Sequence, residues 1–205
     1  MRLIIGMTGA TGAIWGVRLL QELGRHADVE THLVMSRWAR ATLTLETSWS
    51  VRQVADLADV VHGPDDQAAS ISSGSFRTDG MVILPCSVKT LAAIRAGYGS
   101  DLVSRAADVV LKERRPLVLG VRETPLSTIH LENMLALSRM GATILPPMPA
   151  FYNKPTSVDD IVSHLVARVM DQFGLDSTDA VRWQGPATAR GGHRHMPPGP
   201  DTGVA

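Results

Sequence analysis

Five short apolar segments, separated by longer stretches of helical periodicity, constrain this chain more than any single motif does. They are RLIIG (2–6), ETHLVM (30–35), MVILP (81–85), PLVLGV (116–121) and ATILP (142–146). Their apolar residues run on almost without interruption instead of alternating, as parallel strands covered on both faces do. Helical patterns occupy about 12–25, 37–46, 88–97, 101–114, 127–140 and 157–173. This alternation predicts an α/β fold: a doubly wound, Rossmann-like or flavodoxin-like, mostly parallel sheet with helices on both faces. Ligands of such sheets bind beyond the carboxyl ends of the strands. Attention therefore falls on 6–12, 36–37, 85–90, 122–125 and 147–155.

The chain has 205 residues, 44% hydrophobic and 20% charged, which suits one soluble domain over 1–185. From about 186 it turns rich in Gly and Pro without apolar periodicity, which predicts a disordered tail over 186–205. His193 and His195 in that tail lack the Cys or carboxylate neighbours of a metal site, and no metal is expected. Lys plus Arg and Asp plus Glu number 20 each, so no global field favours nucleic acid or an anionic membrane. Cys86 is the only cysteine, which excludes a disulfide framework and fits a reducing cytosol. The first residues read as a strand and no apolar run nears the roughly 20 residues of a membrane span. The expectation is a cytoplasmic protein.

The opening loop, GMTGATG (6–12), joins the first strand to the first helix. Glycines there let backbone N–H groups close on a phosphate at a helix N-terminus, and Thr8 and Thr11 add hydroxyls. A ligand-free tight turn is the simpler reading. No Lys follows Gly12, so this is not a Walker loop, and the glycines form no G-x-G pair. NAD would want an acidic residue after the second strand, where the chain reads VMSRWAR. Arg37 keeps NADP in play, while Ser36 suits a hydrogen bond to a flavin or its ribityl chain. PCSVKT (85–90) offers a second donor cluster in Ser87 and Thr90, or merely a helix cap. Cys86 has no neighbouring base and reads as a packed small side chain.

Arg105, Asp108 and Lys112 form one polar stripe, read by default as a solvated helix face, as are Arg114 and Arg115. Arg122 and Glu123 follow a strand at the ligand-bearing edge, where an Arg can hold phosphate and a Glu can move a proton. PPMPAFYNKP (146–155) is a stiff apolar loop presenting the phenol of Tyr152. On the helix after it, Ile161, Leu165 and Val169 form the core stripe, and Arg168 projects near it. That arginine is either a snorkelling side chain or a phosphate ligand.

Taken together, MTGATGA, SISSGSF, MVILPCSVKTLAAI, RAADVVLKERRPLVL, RETPLSTIHLENM and PPMPAFY resemble the flavin prenyltransferase family (UbiX-like proteins and the B subunits of phenolic acid decarboxylases) from about residue 2 to 185. The resemblance implies transfer of a dimethylallyl group from dimethylallyl phosphate to N5 and C6 of reduced FMN, without a metal. The prenylated FMN would serve a UbiD-type decarboxylase, and the protein would be a homo-oligomer, a dodecamer with sites at subunit junctions. By position it implies FMN binding by Gly9, Ala10, Thr11, Ser36, Ser87, Val88, Lys89, Thr90 and Arg122. Tyr152, Arg168, Lys112 and Arg105 would bind the dimethylallyl phosphate. Glu46, Glu123 and Lys112 would be catalytic, the glutamates through proton transfer. The SISSGSF loop would lie near the prenyl group, and Gln67 or Ala68 replaces an aromatic residue that some relatives carry before it.

Two other readings stand beside this one. A peptidyl-cysteine-type flavin decarboxylase would carry an Asn in the segment that here reads PCSVKT. A non-catalytic FMN-binding subunit of a decarboxylase would have no need of Lys112, Tyr152 and Arg168.

Overall fold

The computed structural model describes residues 1–177, 182, 183 and 185. The segment 186–205, expected to be a tail, lies outside the described residues, as do His193 and His195. In chain order the elements are β1 (Arg2–Met7), α1 (Ala13–Leu23), β2 (Glu30–Met35), α2 (Arg37–Glu46), α3 (Val51–Ala55), β3 (Val60–His62), β4 (Gly80–Cys86), α4 (Val88–Ala96), α5 (Leu102–Lys112), β5 (Leu117–Val121), α6 (Thr128–Arg139), β6 (Thr143–Ile144) and α7 (Val158–Met170). Every strand and helix expected from the apolar pattern is present. Two elements, α3 and β3, were not legible in that pattern. The first is a five-residue helix nucleated by a Ser50–Gln53 capping box, and the second a three-residue strand. Neither is long enough to show a period.

The six strands lie in the order β3-β2-β1-β4-β5-β6, and every pairing is parallel. The chain reverses direction across the sheet between β1 and β4, the switch point at which such sheets open a crevice. Both faces are covered. Leu3, Ile5 and Met7 of β1 pack with Val17 and Leu20 of α1, Leu43 of α2, and Leu165 and Val169 of α7. Ile4 faces the other way, into a layer with Ile83, Leu91 of α4, Val103 and Val110 of α5, and Leu137 of α6. This two-sided cover explains the unbroken apolar runs. Each such side chain stabilises the fold by about 1.5–3 kcal/mol through burial.

At the β2–β3 edge, polar groups form a chain. His32 Nδ1 lies 2.9 Å from His62 Nε2, and His32 Nε2 lies 2.8 Å from Glu30 Oε1. Arg2 Nε and Nη2 each donate to a Glu30 oxygen at 3.0 Å. Among the described residues no helix is long and apolar enough to cross a membrane.

Candidate functional site

The loop after β1 is built by two glycines. Gly12 has φ of 98°, a left-handed conformation that disfavours a side chain, and begins α1 from it. A Cβ on Gly9 would come within 2.4 Å of the Trp38 Cβ, so only glycine lets the loop approach α2 this closely. The amides at the start of α1 do not face an open anion site. Gly12 and Ala13 donate to Glu46 Oε2, at 2.7 and 3.1 Å. Thr8 is also committed: it donates to the Pro85 carbonyl and accepts from the Ser87 amide, both at 2.8 Å. It braces β1 against β4 at the switch point instead of offering a free hydroxyl. Ala10 is buried beside the loop and Thr11 is exposed.

Beyond the strand ends lies a cavity of about 400 Å³ lined by Thr8, Gly9, Ser36, Arg37, Trp38, Pro64, Asp65, Ser87, Lys89, Thr90, Ser100 and Asp101. Ser36, Ser87 and Asp101 are the N-caps of α2, α4 and α5, so three helix N-termini converge here. Their positive ends favour an anionic or electron-rich ligand. Ser36 Oγ accepts the Ala39 amide at 3.1 Å, leaving its own O–H to donate. Ser87 Oγ accepts the Thr90 amide at 3.3 Å and meets Thr90 Oγ1 at 3.1 Å. For Ser87 the cap reading and the ligand reading are therefore compatible, and Ser36 proves to be a cap as well. A larger concavity of about 590 Å³ lies around Arg2, Asp28, Asp59 and Asp79, at the amino ends of the strands. The topology directs ligands to the opposite edge.

Arg122 and Glu123 follow β5 at the same edge. The Arg122 amide donates to the Cys86 carbonyl at 3.0 Å, which holds the pair beside Ser87. Glu123 Oε1 accepts from the Thr124 amide at 2.9 Å. Cys86 is fully buried, and burial pushes its thiol up to about 12, so it is no nucleophile at neutral pH.

The polar stripe of α5 does more than meet solvent. Arg105 Nε donates to the Ser72 carbonyl at 3.2 Å, while its Nη1 pairs with Asp108 at 2.7 Å. Lys112 pairs with Glu113 and holds that carboxylate below its ordinary range. Arg115 was expected to be a solvated residue, and the structure corrects this. It donates to the carbonyls of Gly74 and Phe76, at 2.8 and 3.0 Å, and to Thr78 Oγ1 at 3.3 Å. Together these side chains hold the serine-rich loop.

A second cavity, about 450 Å³, is lined by Tyr152, His164, Ala167, Arg168, Asp171, Arg182 and Trp183. Tyr152 comes from the proline-rich loop and meets the Trp183 ring edge-on, with centroids 5.5 Å apart. Arg168 is exposed on α7 instead of lying along the core stripe, and its Nη1 donates to Asp171 Oδ2 at 2.6 Å. Arg182 Nη2 reaches the other oxygen of Asp171 at 2.8 Å. Of the expected stripe, Leu165 and Val169 are buried while Ile161 is only half-buried.

The expected site residues thus form three groups within one chain. Gly9, Ser36, Ser87, Lys89 and Thr90 share the switch-point cavity, with Val88 opening α4 behind them. Tyr152 and Arg168 share the second cavity, and Ala10, Thr11, Glu46, Arg105, Lys112, Arg122 and Glu123 line neither. Sequence reasoning missed His164 and Trp183. The only signal was a histidine within the buried register of α7 and an aromatic near the end of the apolar pattern.

The family described as Flavoprotein matches residues 1–170. A protein of Escherichia coli O157:H7 described as a probable UbiX-like flavin prenyltransferase is 70% identical over 190 residues, covering 93% of this chain and 96% of its own. A crystal structure described as a dodecameric FMN-dependent UbiX-like decarboxylase from Escherichia coli O157:H7 matches with a TM-score of 0.90 at 70% identity, over 90% of this chain and 100% of the other. The crystal structure of AnUbiX (PadA1) in complex with FMN and dimethylallyl pyrophosphate matches with a TM-score of 0.88 at 56% identity, over 90% of this chain and 97% of the other.

Proposed function

The chain belongs to the UbiX-like flavin prenyltransferases, and from that membership we propose how its residues transfer a dimethylallyl group to reduced FMN. The observation that carries the assignment of roles is the pairing of two differently built cavities. One is ringed by helix N-termini and hydroxyls, the other by a phenol and arginines. An FMN-storing subunit would need only the first.

The donor set of the switch-point cavity fits FMN. Gly9, Ser36, Ser87, Lys89 and Thr90 line it, and Ala10, Thr11 and Val88 are assigned to FMN from the adjoining loop and helix start. Arg122 closes the edge. When bound, reduced FMN supplies the N5 and C6 atoms that bond to the prenyl group. Tyr152 and Arg168 hold the phosphate of the dimethylallyl donor and stabilise it as it leaves, by hydrogen bonding and charge. Glu123 and Glu46 take up or return protons at the flavin edge. Lys112 and Arg105 reach the phosphate from a neighbouring copy, at a site between subunits. The exposed apolar residues Ile129, Leu131, Leu135 and Met140 provide a surface for such copies. A UbiD-type decarboxylase receives the product, and the reaction takes place in the cytoplasm.

The test is anaerobic incubation with reduced FMN and either dimethylallyl phosphate or the diphosphate, followed by the mass of the flavin. A prenyl adduct is expected. Unchanged FMN with both donors would overturn the catalytic reading in favour of an FMN-binding subunit.

A further inference from the structure

His164 is a buried titratable group for which the roles above have no use. It is 8% exposed, within the otherwise apolar buried face of α7. Its Nε2 lies 3.3 Å from Tyr152 Oη, and the two rings meet edge to face at 83° with centroids 5.5 Å apart. Its other nitrogen, Nδ1, is buried with no hydrogen-bond partner among the described residues. Arg168 stands four residues further along the same helix, so His164 and Arg168 share one face and both line the Tyr152 cavity.

The tautomer of a neutral His164 follows from these two nitrogens. A proton on Nδ1 would leave a buried donor without an acceptor. A proton on Nε2 leaves only a buried acceptor unfilled, which native structures tolerate more readily. With the proton on Nε2, the imidazole donates to Tyr152 Oη. The phenol oxygen is then engaged as acceptor, and its own O–H turns away from His164 toward the cavity. In the opposite tautomer the phenol O–H donates to Nε2, leaving Tyr152 with only lone pairs to present to the cavity. Lone pairs repel a phosphate; an O–H binds it.

We infer that His164 is a positioning residue that fixes Tyr152 as a hydrogen-bond donor toward the phosphate of the prenyl substrate. The inference rests on the reading of Tyr152 and Arg168 as the phosphate-binding pair. With its Nε2 engaged by Tyr152 and its Nδ1 buried, His164 acts on the donor through Tyr152, so its effect belongs in the KM for the prenyl donor and not in FMN affinity.

The experiment uses full-length protein, reduced FMN and dimethylallyl phosphate, with KM, kcat and FMN affinity measured for Y152F, H164N, H164Q and Y152F/H164N. A glutamine amide reaches the Nε2 position and can donate to Tyr152, whereas the shorter asparagine amide cannot. Both introduce a polar amide at the same buried site, so a general packing defect would impair them alike. Y152F and H164N should each raise KM roughly tenfold, the scale of one lost hydrogen bond to a charged group. H164Q should recover to within about threefold of the wild type. The double variant should be no worse than Y152F alone, and FMN affinity should not move. H164Q as impaired as H164N, or losses that multiply in the double variant, would overturn the role of His164. A silent Y152F would instead remove Tyr152 from the phosphate site, and the inference with it.

Discussion

Glu46 ends α2, yet its carboxylate is bound to the amides that begin α1. One exposed side chain therefore tethers the glycine loop from outside. A carboxylate at a helix N-terminus contributes about 1 kcal/mol. Glu46→Ala should lower the melting temperature by about 2–4 °C, read by thermal unfolding. FMN affinity should fall with it, because the loop wall loses its anchor. Glu46→Gln keeps one acceptor and should lose less of both. In the phosphate-binding role proposed for Arg168, the fork geometry matters more than the charge. Arg168→Lys should raise KM for the prenyl donor about tenfold and leave FMN affinity unchanged, since an ammonium cannot bind phosphate bidentately. Glu123→Gln should still bind FMN yet give no product, and unaltered turnover would remove Glu123 from proton transfer. Residues that act where the sequence places them were legible beside strand ends, Ser87 as a cap and Ser36 as a hydroxyl after the second strand. Glu46 carries no local signal, because its partners are distant in sequence. Thr8 misled for a similar reason: its hydroxyl is consumed by β4, which the loop sequence does not reveal.

Among the elements, α5 and the segment after it hold the serine-rich loop through cation-to-carbonyl hydrogen bonds. Arg115 contributes two of these contacts and a further one to the Thr78 hydroxyl. Arg115→Ala should release the loop, seen as faster proteolytic cleavage within 70–76 and a stability loss of about 1–3 kcal/mol. Unchanged cleavage would show that Arg105 alone suffices. From sequence, α5 read as an amphipathic helix with a polar side, which it is. Periodicity identifies which side is polar but not that a loop folds back over it. The same limit hid α3 and β3, whose five and three residues are fixed by a capping box and by pairing with β2. The longer elements were legible because burial on both faces of the sheet writes itself into the sequence as unbroken apolar runs.

At the scale of the whole molecule, acid should act first on the β2–β3 edge. Burial and the nearby His32 hold His62 below its ordinary value of 6.5. Stability from neutral His62 is present above that value and is lost as pH falls below it. Arg2 and His32 hold Glu30 near about 2, down from 4.5, so its contribution is present above 4.5 and is lost between 4.5 and about 2. The Glu30 side chain is 42% exposed, so solvent screens much of this second effect. Urea midpoints should therefore fall in two steps on acidification, and Glu30→Gln should flatten the lower one. Assembly offers a separate test: Leu135→Glu places a charge on the exposed apolar face of α6 and should reduce the mass measured by light scattering without altering the circular dichroism. The outermost strands give that face its importance. With only three residues in β3 and two in β6, the sheet offers almost no free backbone for another strand to join. A second copy then meets helices and loops rather than an open sheet edge, and the sheet gives little purchase for a fibre.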